Sequence, residues 1–142
     1  MAIASAVAGL CLLAVGGMRW LHRASELQRF RVSLHYLSET IRSIRPRATA
    51  TRRSMVLRAD PAHRVFQVSA LQAGRRAYEM VEKTVWLPEG LEIVEAPASL
   101  TVLPAQRLTR TTIVIAAPAY NCFFRLTLTP EGAVQLDEEP AT

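Results

Sequence analysis

The sequence predicts an α+β fold in which a long N-terminal helix, apolar in its first part and amphipathic in its second, packs on a small antiparallel β-sheet domain. Three observations lead there. Met1 to Met18 is an uncharged apolar run; Leu27 to Ile44 carries an apolar stripe at helical spacing; and after Thr51 short alternating segments follow one another between Pro and Gly turns. With 142 residues the chain has room for one compact domain and a helical stalk, and a second large domain is excluded. The expected order is a membrane helix over 1–18, a stalk helix over 19–45, a β domain over 52–137 and a loose tail over 138–142.

The opening run, MAIASAVAGLCLLAVGGM, spans roughly 27 Å as a helix, close to the hydrocarbon core of a bilayer. Ile3, Val7, Leu10, Leu13 and Val15 are the expected membrane or filament-core positions. Small residues at Ala8, Gly9, Gly16 and Gly17 permit close helix contacts in lipid. A cleaved signal peptide would carry positive charge before the apolar core. Here the charge follows it, as Arg19 and Arg23, which favours a retained single span over cleavage, and the lack of a polar face argues against a buried helix of a soluble domain. The same charges would hold the C-terminal domain on the cytoplasmic side if Met1 were the true start.

From Trp20 to Ile44 there is no Gly or Pro, and Leu27, Phe30, Leu34, Leu37, Ile41 and Ile44 recur at spacings of three and four. That is one apolar helix face, available to the chain's own β domain or to a coiled-coil partner. The helix is expected to end near Arg45, because the residue before Pro46 is steered out of helical geometry.

Beyond it, Met55 to Ala59 and Arg64 to Ala70 read as a hairpin about Asp60-Pro61-Ala62-His63. Tyr78 to Leu87, Leu91 to Glu95, Ser99 to Leu103, Thr111 to Ala117, Cys122 to Leu128 and Ala133 to Leu136 follow as further strands. Within Cys122 to Leu128 the alternation predicts Phe124, Leu126 and Leu128 on a buried face and Phe123, Arg125 and Thr127 on a wetter one. Asp137 to Thr142 reads as a solvated tail.

Charge divides the chain. Residues 19 to 58 hold ten arginines against two acids, a net of +8, whereas 59 to 142 carry −3. Arg42, Arg45, Arg47, Arg52 and Arg53 cluster at the helix end and are candidate phosphate contacts, without the interleaved aromatics that stack single-stranded bases. The alternative is a solvated basic collar, or one that pairs with acids of neighbouring subunits. No nucleotide-binding loop, nucleophile elbow or paired metal ligands occur. His22, His35 and His63 are scattered, and Cys11 and Cys122 fall in separate regions, so neither a zinc site nor an internal disulfide is expected. The sequence thus predicts no catalytic residue, no metal, no cofactor, no small-molecule substrate and no enzymatic activity.

The order of parts resembles the type IV pilin-like proteins, and most closely the GspH/FimT group of minor pseudopilins. Met1-Ala2-Ile3-Ala4-Ser5-Ala6-Val7 resembles the middle of the pilin hydrophobic segment. Leu34 to Arg53 resembles the helix end with its arginine and alanine pattern, followed by Val56-Leu57 as a first strand. Leu87 to Leu91, Thr112 to Ile115 and Phe124 to Val134 resemble the closing strands and the glycine turn between them. The leader-peptidase motif, a glycine followed by phenylalanine and then glutamate, does not occur, so Met1 is expected to fall several residues inside the mature, methylated helix. Pro104-Ala105-Gln106 stands where many members carry a glycine, and Pro46 interrupts the usual helix end.

The resemblance implies a pilin-like fold and a non-enzymatic subunit of a type II secretion pseudopilus or a type IV pilus, acting in filament assembly and protein secretion. Its partners would be other pilin or pseudopilin subunits, the bacterial inner membrane and secreted cargo, with the β domain on the periplasmic or extracellular side. Rival readings are a DNA-uptake or adhesion pilin that binds DNA through the arginine cluster, and a membrane-anchored β-domain scaffold in the cytoplasm.

Overall fold

The computed structural model describes residues 2–72 and 78–141, with side chains described from Gly16 onward. It divides into two compact units, Met1–Val32 and Ser33–Thr142. The first is helical throughout its described length. Helix α1 runs Ala2–Arg42, and Met18, Trp20 and Leu21 on it are exposed. Among the described residues no helix is long and apolar enough to cross a membrane. Most of the run expected to do so, with Ile3, Val7, Leu10, Leu13 and Val15, lies outside the described side chains.

The expected helix end near Arg45 requires correction. Pro46 cannot donate to the carbonyl of Arg42, and its ring would press on that carbonyl in an unbroken helix. The chain answers with a pause at Ser43, whose N–H still bonds to Glu39 O at 3.1 Å. A second helix, α2, then runs Ile44–Thr51. Pro46 thus falls in a first turn, where no intrahelical donor is needed. Arg52, at φ 54°, closes α2 in the left-handed region, and the N–H groups of both Arg52 and Arg53 bond to Ala48 O.

Among its described residues the second unit has eight strands in two antiparallel sheets. One has the order β3-β2-β1-β5 and the other β4-β6-β7-β8. In chain order the strands are β1 Met55–Asp60, β2 Val65–Gln72, β3 Tyr78–Trp86, β4 Glu92–Glu95, β5 Ser99–Val102, β6 Thr111–Ala117, β7 Cys122–Leu128 and β8 Val134–Pro140. The expected α+β architecture is the one observed: helix packs on a small antiparallel domain. Two of its hairpins are built alike. Pro61–His63 and Pro118–Tyr120 are single 3-10 turns that begin on proline, and Arg64 and Asn121 close them at φ near 50°. Proline suits the first position because its missing N–H leaves no donor unsatisfied.

The tail expected to be loose is a strand. β8 continues through Pro140, with Glu138 opposite Phe124 and Pro140 opposite Cys122. The edge position tolerates both the acids and the proline, since β8 needs hydrogen bonds on one side only. Asn121 anchors the end: its carbonyl accepts the Ala141 N–H at 2.8 Å, and its Nδ2 donates to Ala141 O at 2.9 Å.

The core of this unit is formed by Leu34, Leu37, Ile41, Ile44 and Ala48 on the helices and by inward strand residues that include Met55, Leu57, Phe66, Val68, Ile115, Phe124 and Leu126. Alternation in β7 is as the sequence predicts: Phe124, Leu126 and Leu128 are buried, Arg125 is exposed, and Phe123 and Thr127 are half-buried. At full burial such side chains each contribute roughly 1.5–3 kcal/mol.

Candidate functional site

The helical segment that leads into the β domain is where the sequence placed most of its candidate residues. Along the stripe, Phe30, Leu34, Leu37, Ile41 and Ile44 are at most 4% exposed, and Leu27 is half-buried. Leu34 through Ile44 lie within the second unit and are buried in the single chain. The opposite helical face presents Val32 and Tyr36 to solvent. Ser38 and Thr40 are buried on the helix, but each hydroxyl donates to a carbonyl of the preceding turn, His35 O and Tyr36 O. Neither brings an unsatisfied polar group into the core.

The arginine cluster is brought together in sequence and then divided by its partners. Arg42 pairs with Glu39 and also donates to Val134 O at 2.9 Å. Arg45 donates to Glu131 O in the turn before β8, and Arg47 pairs with Glu82 on β3. The side chains of Arg52 and Arg53 form no hydrogen bond or ion pair among the described residues. Three of the five candidates therefore clasp the helix end to both sheets, to β8 and its turn on one side and to β3 on the other. Lys83 adds to the second contact with its Nζ 4.6 Å from the Tyr36 ring centre, a cation–π distance.

Further ion pairs join strands and connecting segments. Arg58 on β1 meets Glu79 on β3, Arg107 meets Glu131 at 2.7 Å, and Arg125 meets Glu139 at 3.5 Å. The Arg58 hydrogen bond holds the Glu79 carboxyl below its ordinary pKa. Glu131 is lowered first by its own backbone N–H and then by Arg107. Asp60 is lowered chiefly by the His63 side chain, whose Nδ1 lies 2.7 Å from Oδ2. These groups are largely exposed, so each pair adds little to stability on its own.

What the arrangement does is hold a helix on a sheet. His63 closes a hairpin turn, His22 lies 3.7 Å from Glu26 one helical turn on, and His35 is exposed. Among the described residues no three His, Cys, Asp or Glu side chains gather closely enough to hold a metal ion. Cys122 forms no disulfide. An open groove of about 650 Å³ runs beside the helix end between Arg42, Arg45, Thr49, Ala105 and Gly132. Sequence reasoning missed the acids and carbonyls that engage the arginines. The Pro130-Glu131-Gly132 turn was a legible signal for one of them, whereas nothing local marks Glu82.

No protein-family model and no curated protein sequence matches the chain. Among solved structures it is similar to the minor pseudopilin EpsH of the type 2 secretion system of Vibrio cholerae. One structure of that protein aligns over 77% of this chain and 96% of its own, with a TM-score of 0.62 at 19% identity. Another aligns over 78% and 96%, with a TM-score of 0.60 at 16% identity. At this identity the likeness establishes the fold, and the fold is pilin-like, as the sequence resemblance implied.

Proposed function

We propose that the chain is a non-enzymatic minor pseudopilin, a subunit of a type II secretion pseudopilus or type IV pilus that acts in filament assembly and protein export. The observation that carries this reading is the alignment with EpsH over nearly the whole of that chain, joined to an uncharged helical run ahead of the aligned type of domain. In this reading the run from Met1 to Met18 crosses the bacterial inner membrane once and later packs among the helices of other subunits. The β domain lies on the periplasmic or extracellular side. The arginine clasp keeps that domain in register with its helix, so a pull on the helix moves the domain with it.

An in-frame chromosomal deletion in the source bacterium, complemented in trans, tests the proposal. Loss of exported proteins from the culture supernatant, or of surface pili, restored by the wild-type gene, is the expected result, and which of the two is lost assigns the filament. Normal export and normal pili in the deletion strain would overturn it, as would a β domain that a membrane-impermeant label reaches only from the cytoplasm.

A further inference from the structure

The four sheet edges of the second unit are not alike. β4 and β5 have four residues each, and β4 carries Glu92 and Glu95. β8 is longer but bears Asp137, Glu138 and Glu139. Short edges and charged edges resist the addition of another strand. β3 has nine residues, and Met80, Val81 and Trp86 on it are each more than half exposed.

The charges of β3 do not guard its edge, because its own domain engages all three. Glu79 pairs with Arg58, Glu82 with Arg47, and Lys83 lies over Tyr36. The ladder shows which backbone groups remain open. The Leu71 N–H bonds to Ser54 O and the Leu87 N–H to Arg64 O. With Phe66 opposite Val85 and Val68 opposite Lys83, strict antiparallel alternation assigns Val85 and Lys83 to the bonds with β2. The N–H and C=O groups of Thr84 and Trp86 therefore point out of the sheet. Between Lys83 and Val81 the register shifts, with Glu82 as the extra residue of a bulge.

We propose that this edge accepts an extended, uncharged strand of another protein, added to the sheet beside Thr84 and Trp86, with a β-branched side chain of the incoming strand against the Trp86 ring. The internal neutralisation of Glu79, Glu82 and Lys83 selects that chemistry, since a charged strand would meet no counter-charge. Aromatic and β-branched neighbours are favourable cross-strand pairs, and backbone bonds supply the attachment. A second copy of this chain fits less well. Two-fold pairing about Val85 would set Glu82, the bulge residue, against Pro88 of the copy, which has no N–H to give, and the ladder would stop there.

The test uses the ¹⁵N-labelled full chain in detergent micelles and a blocked peptide of alternating threonine and valine. Saturable shifts of the Thr84 and Trp86 amides and of the Trp86 indole are expected. A peptide of alternating lysine and valine should bind about tenfold more weakly or worse. Thr84→Pro removes an N–H that faces the open edge and leaves the β2 ladder intact, and it should abolish the shifts. Trp86→Lys, which leaves the backbone untouched, should weaken binding by about tenfold. The proposal is overturned by an absence of shifts at Thr84 and Trp86 at millimolar peptide, by shifts centred on β4, β5 or β8, by binding indifferent to Trp86→Lys, or by self-association of the chain through β3 without peptide.

Discussion

Arg45 lies directly over Gly132: a Cβ at position 132 would stand 2.9 Å from the Arg45 Cδ, closer than real Cβ contacts come. Gly132 also sits at φ +91°, where L side chains are strained. The turn before β8 and the end of the helix are therefore fitted to each other by the lack of a side chain. Gly132→Ala is expected to lower stability by about 1–3 kcal/mol, read as a lower midpoint in urea. Adding Arg45→Ala should restore part of that loss by removing the clash, while the backbone strain remains.

Leu34 and Leu37 are fully buried, whereas Val32 on the same helix is 59% exposed. Leu34→Ala or Leu37→Ala should each destabilise the domain by about 2–5 kcal/mol, with Val32→Ala within about 0.5 kcal/mol of wild type. Chemical denaturation followed by circular dichroism measures all three. Equal effects at the three positions would contradict the stripe as the packing face.

Acid should loosen the domain through carboxylates that folding holds charged. Glu79, Glu131 and Asp60 have folded pKa values below their ordinary values of 4.5, 4.5 and 3.8. Their contribution is then complete above those ordinary values and is lost as pH falls through the lowered folded ones. The thermal midpoint should be level from neutral pH down to the ordinary carboxylate range and then decline. Glu79→Gln should make that decline shallower, since Arg58 then holds no titrating partner at this site.

Removal of residues 137–142 tests whether the C-terminal acids belong to the sheet. Asp137 through Pro140 pair with Cys122 through Arg125 on β7, so the truncation removes four of the seven pairs of that ladder. A loss of about 2 kcal/mol or more is expected, with faster amide exchange in β7. Unchanged stability would return the segment to the solvated tail that its composition suggests.

What the sequence made legible followed from strong local signals. The β1–β2 turn could be read because Asp60-Pro61 combines a side-chain acceptor with a fixed φ, and β7 because Phe124, Leu126 and Leu128 alternate cleanly. Pro46 gave a misleading signal: it does break the helix, but the disruption appears at Ser43, because the clash falls on the carbonyl of Arg42 four residues back. Asp137-Glu138-Glu139-Pro140 reads as solvated because an edge strand exposes acids as readily as a tail does. The arginine cluster looked like one basic patch because its partners are distant in sequence. Glu82 is 35 residues from Arg47, Glu131 is 86 from Arg45, and Val134 is 92 from Arg42. Local pattern carries no information about such pairings.

The handover from α2 to the sheet has a mechanical consequence. Arg52 fixes the exit from the helix, and after Arg53 and Ser54 the chain enters β1 directly. β1 is an interior strand, bonded to β2 over six residue pairs and to β5 over four. Tension transmitted from the helix along the backbone therefore reaches a strand gripped on both flanks and loads its hydrogen bonds in shear. Bonds so loaded must yield together, whereas those of a strand peeled from an outer edge fail one after another. The helix is thus joined to the domain through a strand that resists a pull along its own length better than an outer strand would.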